Sequence, residues 1–331
     1  MLLKLFRGTG PGVIFLIFLI TCGIWLNAVI KPHLPESFIY DLNPMPLYSM
    51  LRRAALASAL GGTLVSFGIV LLMTFLLVNF NTVVFFINER TFLPSVIYVL
   101  LTGIFPPYQV FNPVLPASLL LMFAIRRIMD AYRKNGTAYN FFDASLLIGI
   151  GSLIYANLIW FGLLAFIGIL LLRTVNVKEI MLALLGLCTP LAMTAGIYYV
   201  LGKDLPALLS ATEFNLFGES GHYAFSRVTL SGLVIIGILA LISLAYLVSV
   251  MYSKKIKSRK TFSLLIWTLI VAFAVYFSVP SASVEMIYIA SIPLCYIFSH
   301  YFVFFKRKLL TELFFTVLVI ITAAFQVIYA I

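Results

Sequence analysis

The 331 residues carry a mean hydropathy of +1.12, with 63% apolar and only 10% charged side chains, more apolar surface than one water-soluble core could hide. A soluble globular domain is excluded. The formal charge of +11 comes from 22 Lys+Arg against 11 Asp+Glu, and in a chain this apolar such an excess belongs to membrane-flanking loops rather than to a nucleic-acid partner.

Apolar runs broken by polar or Pro/Gly segments predict an all-α, polytopic bundle of about eleven membrane helices, over 11–30, 56–79, 83–105, 114–131, 142–156, 158–173, 179–201, 228–252, 261–280, 285–305 and 309–331. The first run follows Lys4 and Arg7 as a signal peptide would. It is too long for an apolar signal core and no small-residue cleavage site follows, so it reads as a retained anchor. Residues 31–53 then form the first long connection. Its second half, 45-MPLYSMLRR-53, has the apolar and basic faces of a helix lying in the interface.

The third run has two readings, since Asn88-Glu89-Arg90 either ends a short helix beginning near Phe92 or lies within a longer one. Farther on, Phe141–Leu172 would reach about 48 Å as one helix, against a bilayer core of about 30 Å. Basic residues flank it on both sides, so an even number of crossings is needed, and the run divides at Tyr155-Ala156-Asn157 into two short helices. Residues 202–227 form the second long connection, read as an exposed loop without a helical frame.

With the N-terminus cytoplasmic, 17 of the 22 Lys and Arg fall on the cytoplasmic side, and Lys31, Arg52, Arg53, Lys203 and Arg227 lie outside. A miscounted helix in the middle would scramble this partition. Residues 1–201 and 202–331 are two parts of one continuous membrane domain. Cys22, Cys188 and Cys295 all fall in apolar runs with no Cys-x-x-Cys spacing and read as packing residues. The Asn135-Gly136-Thr137 sequon falls inside and is expected to be unmodified.

Polar chemistry gathers in the two outer connections. Asp41, with Glu36, His33 and Asn43 nearby, is either a general base or metal ligand at the outer surface or a solvated loop acid. Arg52 and Arg53 either hold a lipid phosphate or snorkel to head groups. In 202–227, Glu213, Glu219, His222 and Arg227 offer an acid, a metal ligand and a phosphate clamp, or an ordinary loop; a divalent metal is left open and no ligand set is assigned. Asn157, with Tyr155 and Trp160, belongs either to an aromatic belt or to a substrate cleft. Asp130 is spaced to neutralise Arg126 and Arg127, Asp143 to open its helix, Glu285 to cap the next, and His300 to pack among aromatic rings.

No nucleotide-binding loop or hydrolase motif is present, which excludes a pump carrying its own ATP motor. Apart from Glu89, whose run has two readings, every acid sits near a predicted helix end, so a mid-membrane chain of acids for ion coupling is lacking too; a carboxylate there costs roughly 2.5 to 3.5 kcal/mol or more.

An acid soon after the first helix, a membrane-lying segment and short central helices resemble the C-type (GT-C) integral-membrane glycosyltransferases. The likeness is carried by 90-RTFLPSVIYVLL-101, 112-NPVLPASLLLMFAIRRIMDAYRKNG-136 and 143-DASLLIGIGSLIYANLIWFGLLAFIGILLLR-173, and covers roughly residues 1–201. The chain is also similar to an uncharacterised bacterial multi-pass family that shares these segments. The resemblance implies a polyprenyl-phosphate-linked sugar as donor, a cell-envelope acceptor, an active site on the non-cytoplasmic face of the bacterial inner membrane, and a catalytic acid at Asp41 with Glu36 as the second. Substrate contacts are then expected from Arg52, Arg53, Arg227, His222 and Asn157, with membrane lipid, a lipid-linked sugar and envelope-assembly proteins as partners. The competing classes are a flippase or transporter of a lipid-linked envelope precursor, which needs a deep basic cavity, and a non-catalytic subunit of an envelope assembly, which needs partners instead.

Overall fold

The computed structural model describes residues 2–8, 10–32, 42–55, 58–132, 138–172, 176–218 and 227–330. Among them all regular structure is helical: α1 (Leu2–Arg7), α2 (Pro11–Ile30), α3 (Pro46–Ala55), α4 (Ala59–Val84), α5 (Leu93–Gly103), α6 (Val114–Asp130), α7 (Ala138–Ser152), α8 (Leu163–Leu172), α9 (Val177–Val200), α10 (Leu205–Phe217), α11 (Arg227–Val250), α12 (Ile256–Ser278), α13 (Ile287–Phe304) and α14 (Lys308–Ala330), with short 3₁₀ turns between some of them. Among the described residues seven helical stretches, α2, α4, α9, Arg227–Ser253, α12, Val284–Phe304 and α14 through Tyr329, are long and apolar enough to cross a membrane. The chain is a multi-pass membrane protein.

Helix α13 runs through the middle, nearly wholly buried, against the short and equally buried α5. Apolar side chains cannot drive helices together in lipid, so hydroxyl and amide bonds to neighbouring carbonyls add to the packing. Tyr296 donates to Leu77 O at 2.7 Å, Ser95 to Thr74 O at 2.8 Å, and Gln326 to the orphan carbonyl of Gly103 at 2.7 Å.

Residues 83–105 are not one helix. α4 continues to Val84 and stops at Phe85, left-handed at φ 53, and the chain resumes helix only at Leu93. Asn81 holds the break, accepting from Ile87 N and donating to Glu89 O at 3.2 Å. The division of residues 141–172 is a helical hairpin. An added Cβ at Gly151 would stand 2.2 Å from Leu158 Cδ2, and one at Gly168 would stand 3.5 Å from Phe141 Cε1 and 2.5 Å from Ile128 Cγ2. Residues equidistant from the turn therefore face each other, and α7 and α8 run back to back. Helix α9 lies alongside α7 in the same direction, with Gly186 against Phe142 and Gly149 against Leu187 and Pro190.

Two expectations about acids change. Helix α7 begins at Ala138, so Asp143 does not open it; the carboxylate sits one turn in and meets Arg127 across the α6–α7 contact at 3.6 Å. Residues 205–217 are a helix and not an open loop, because Asp204 caps it by accepting from Ala207 N at 3.3 Å and Pro206 suits its first turn.

The connections segregate to two ends. At one, Arg7 donates to Phe302 O and Val303 O at 2.8 and 2.7 Å, Lys260 caps Leu171 O, and Lys254 lies 4.7 Å from the Phe304 ring centroid, so basic side chains meet helix C-termini. Burial lowers the Lys254 pKa. The opposite end gathers the described part of the first connection, the hairpin tip, α10 and residues 279–286.

Candidate functional site

Backbone and amide groups from four distant segments meet at that second end. Leu47 N donates to Leu153 O at 3.1 Å, which ties the start of α3 to the hairpin tip. Asn215 of α10 donates to Asn43 O at 2.8 Å, while its own carbonyl accepts from Ser281 Oγ. Asn157, at the tip of the hairpin, donates to the same Ser281 Oγ at 2.8 Å and to Tyr155 Oη at 3.3 Å.

Asn157 is 1% exposed, so it ties the junction together and is not presented on an open cleft. With Met45, Tyr48, Tyr155, Asn215 and Ser281 it walls a cavity with room for about one water, which would serve its Oδ1, left without a protein partner. Two residues past Ser281, Ser283 Oγ donates to Glu285 Oε2. Glu285 stands in the first turn of the span Val284–Phe304, at the helix start expected of it, and its carboxyl is buried at 1% exposure.

Two apolar grooves flank the last turns of α12 and end beside this junction. One, about 380 Å³, lies between α11, α12 and α13 and is walled by Leu230, Val234, Phe273, Phe277, Met286 and Ala290. The other, about 360 Å³, runs between the hairpin tip, α10 and α12 past Trp160, Leu163, Phe217, Val275 and Val279. Both include exposed side chains, Leu230 and Phe273 in the first and Leu163 and Phe217 in the second, so both open on the outer, apolar surface of the bundle.

Asp41, Glu36, His33, Glu219, His222 and the Asn135 sequon lie outside the described residues. Of the remaining candidates, Arg52 and Arg53 sit on α3, the first half-buried and the second exposed, and Arg227 is exposed at the first turn of α11, one turn before the groove residue Leu230. Among the described residues no three His, Cys, Asp or Glu side chains converge as a metal site would. His300 does pack as expected, with its ring centroid 5.0 Å from Phe304 and 5.2 Å from Phe262.

Asn215 and Ser281 carry no sequence motif. The only available signal was the Asp204-Leu205-Pro206 helix start, which would have put Asn215 on a helix. No protein-family model, curated protein or solved structure matches the chain.

Proposed function

We propose that the protein is a GT-C-like glycosyltransferase that moves a sugar from a polyprenyl-phosphate donor to a cell-envelope acceptor. It works in the bacterial inner membrane with eleven crossings, the N-terminus cytoplasmic and the first connection on the outer face. The supporting observation is the meeting of two lipid-chain-sized grooves with a polar junction that includes Asn43, two residues from Asp41. A long-chain substrate needs an apolar channel for its tail and polar groups where the tail ends, and this end of the bundle supplies both.

In this reading the acceptor hydroxyl oxygen attacks the anomeric carbon, the bond from that carbon to the phosphate oxygen breaks, and the lipid phosphate leaves with the electron pair. The hydroxyl proton passes to the Asp41 carboxylate, with Glu36 as the second acid. Arg52, Arg53 and Arg227 neutralise the departing phosphate, Arg227 from its position above the α11 groove. A flippase would need a polar route through mid-bilayer, and among the described residues both grooves are apolar along their walls.

The decisive measurement is transfer of radiolabelled sugar from a polyprenyl-phosphate donor in proteoliposomes. Asp41→Asn should insert and fold as the wild type does and lose at least about 100-fold in transfer rate, the usual contribution of a positioned base. Full activity in that variant would remove Asp41 as the base, and no transfer by the wild type would leave the chain as a non-catalytic subunit.

A further inference from the structure

At the end of the bundle opposite the junction, two connections far apart in the chain lie side by side. One is 254-KKIKSRK-260, between α11 and α12, and the other is 306-KRK-308, between α13 and α14. Lys254 Nζ stands 4.7 Å from the Phe304 ring centroid, and Tyr246 Oη donates to Phe304 O at 2.9 Å, so the end of α11 is fixed against the end of α13. Both basic stretches start from these adjoining helix ends.

Little within the chain offsets their charge. Among the described residues, none of Lys254, Lys255, Lys257, Arg259, Lys306, Arg307 and Lys308 is paired with a carboxylate. The first turns of α12 and α14 begin in these stretches and hold no acid, and Glu312, one turn into α14, accepts from Leu3 N at 3.4 Å. Lys260 is used internally, on Leu171 O, and Lys254 lies against the Phe304 ring. Like charges gathered this way repel one another, and an anion from outside relieves the repulsion.

The apolar neighbours identify what carries that anion. Tyr252 and Leu309 are each 87% exposed and Ile256 is 49% exposed. Tyr252 lies two residues before Lys254, Ile256 between Lys255 and Lys257, and Leu309 directly after Lys308. The helices that bear these stretches are long and apolar enough to cross a membrane, which holds their ends at the depth of lipid head groups. A water-borne anion gains nothing from exposed tyrosine, isoleucine and leucine, whereas a phospholipid offers a phosphate and acyl chains together.

We infer that residues 254–260 and 306–308 together bind the head group of an anionic phospholipid, with Lys255, Lys306 and Arg307 meeting the phosphate and Tyr252 and Leu309 the start of the acyl chains. This site is separate from both grooves and from Asp41, and it depends neither on the transferase reading nor on which face of the membrane this end occupies.

The test is titration of the full chain, purified in a nonionic detergent, with dioleoyl phosphatidylglycerol, dioleoyl phosphatidylcholine, inorganic phosphate and a hexaglutamate peptide, the bound species being resolved by native mass spectrometry. Each basic side chain at the head group is worth about fivefold in affinity for an anionic lipid, so the first phosphatidylglycerol should bind at least about tenfold more tightly than phosphatidylcholine. Lys255→Gln combined with Arg307→Gln should bring the two lipids to within about threefold of each other. Arg90→Gln combined with Arg127→Gln removes the same charge from positions beside Glu89 and Asp143, and should keep the preference. All four replaced side chains are exposed, so both double variants should unfold with the wild type. The inference is overturned if phosphatidylcholine binds as tightly as phosphatidylglycerol, if the first double variant keeps the preference, or if the second lowers it equally, since net charge and not a site would then be at work. Displacement of phosphatidylglycerol by inorganic phosphate at comparable concentration would overturn it in favour of a free-anion site. A hexaglutamate peptide that binds more tightly than the lipid would do so in favour of an acidic protein partner.

Discussion

At the scale of single residues, the polar groups of this protein answer to partners far away in the chain. Asn157 stands out in sequence as an amide at the tip of two short apolar helices, but its partner Ser281 lies 124 positions on, and nothing local announces that bond. Because the bond is buried, Asn157→Ala should leave Ser281 Oγ without the donor it accepts from, while its hydroxyl still donates to Asn215 O, and cost about 1–3 kcal/mol, read as a drop of a few degrees in unfolding midpoint. An unchanged midpoint would mean that the junction is held by the Leu47–Leu153, Asn215–Asn43 and Ser281–Asn215 contacts without it. Asp143 teaches the same lesson. Its spacing suggested a helix start, and the fold gives it Arg127 across a helix contact instead.

Among the elements, the hairpin α7–α8 was legible because length and charge parity both forbade a single helix. How tightly its arms close was not legible, because it depends on which residues face inward. The small faces at Gly151 and Gly168 decide it, since the space beside each is already taken by Leu158, or by Ile128 and Phe141. Gly168→Leu should wedge α8 away from α6 and α7 at a cost of about 1–3 kcal/mol or more, seen as a lower midpoint and less monodisperse protein on gel filtration. A variant as stable as wild type would show that this interface yields easily. Helix α10 is not legible from its apolar residues, which follow no clean period; its Asp-Leu-Pro start is the one local signal for it.

For the whole molecule, the polarity of the bundle in the bilayer decides whether Asp41 can reach an external acceptor. With Cys22, Cys188 and Cys295 replaced by alanine, Leu42→Cys and Tyr252→Cys, both exposed in the fold and at opposite ends, report on the two faces. A membrane-impermeant maleimide should label position 42 on intact cells and position 252 only after permeabilisation. The reverse pattern would turn the first connection toward the cytoplasm and remove the proposed chemistry. From sequence alone came the membrane character, the helical class and the sorting of basic residues to one end, because hydropathy, helix length and loop charge are sums over neighbouring residues. Tertiary structure alone decided the junction of Asn43, Asn157, Asn215 and Ser281, the two grooves beside α12 and the side-by-side placement of residues 254–260 and 306–308. Each of these is assembled from segments far apart along the chain, and their proximity follows from which helix faces pack together, a property that no local stretch of residues carries.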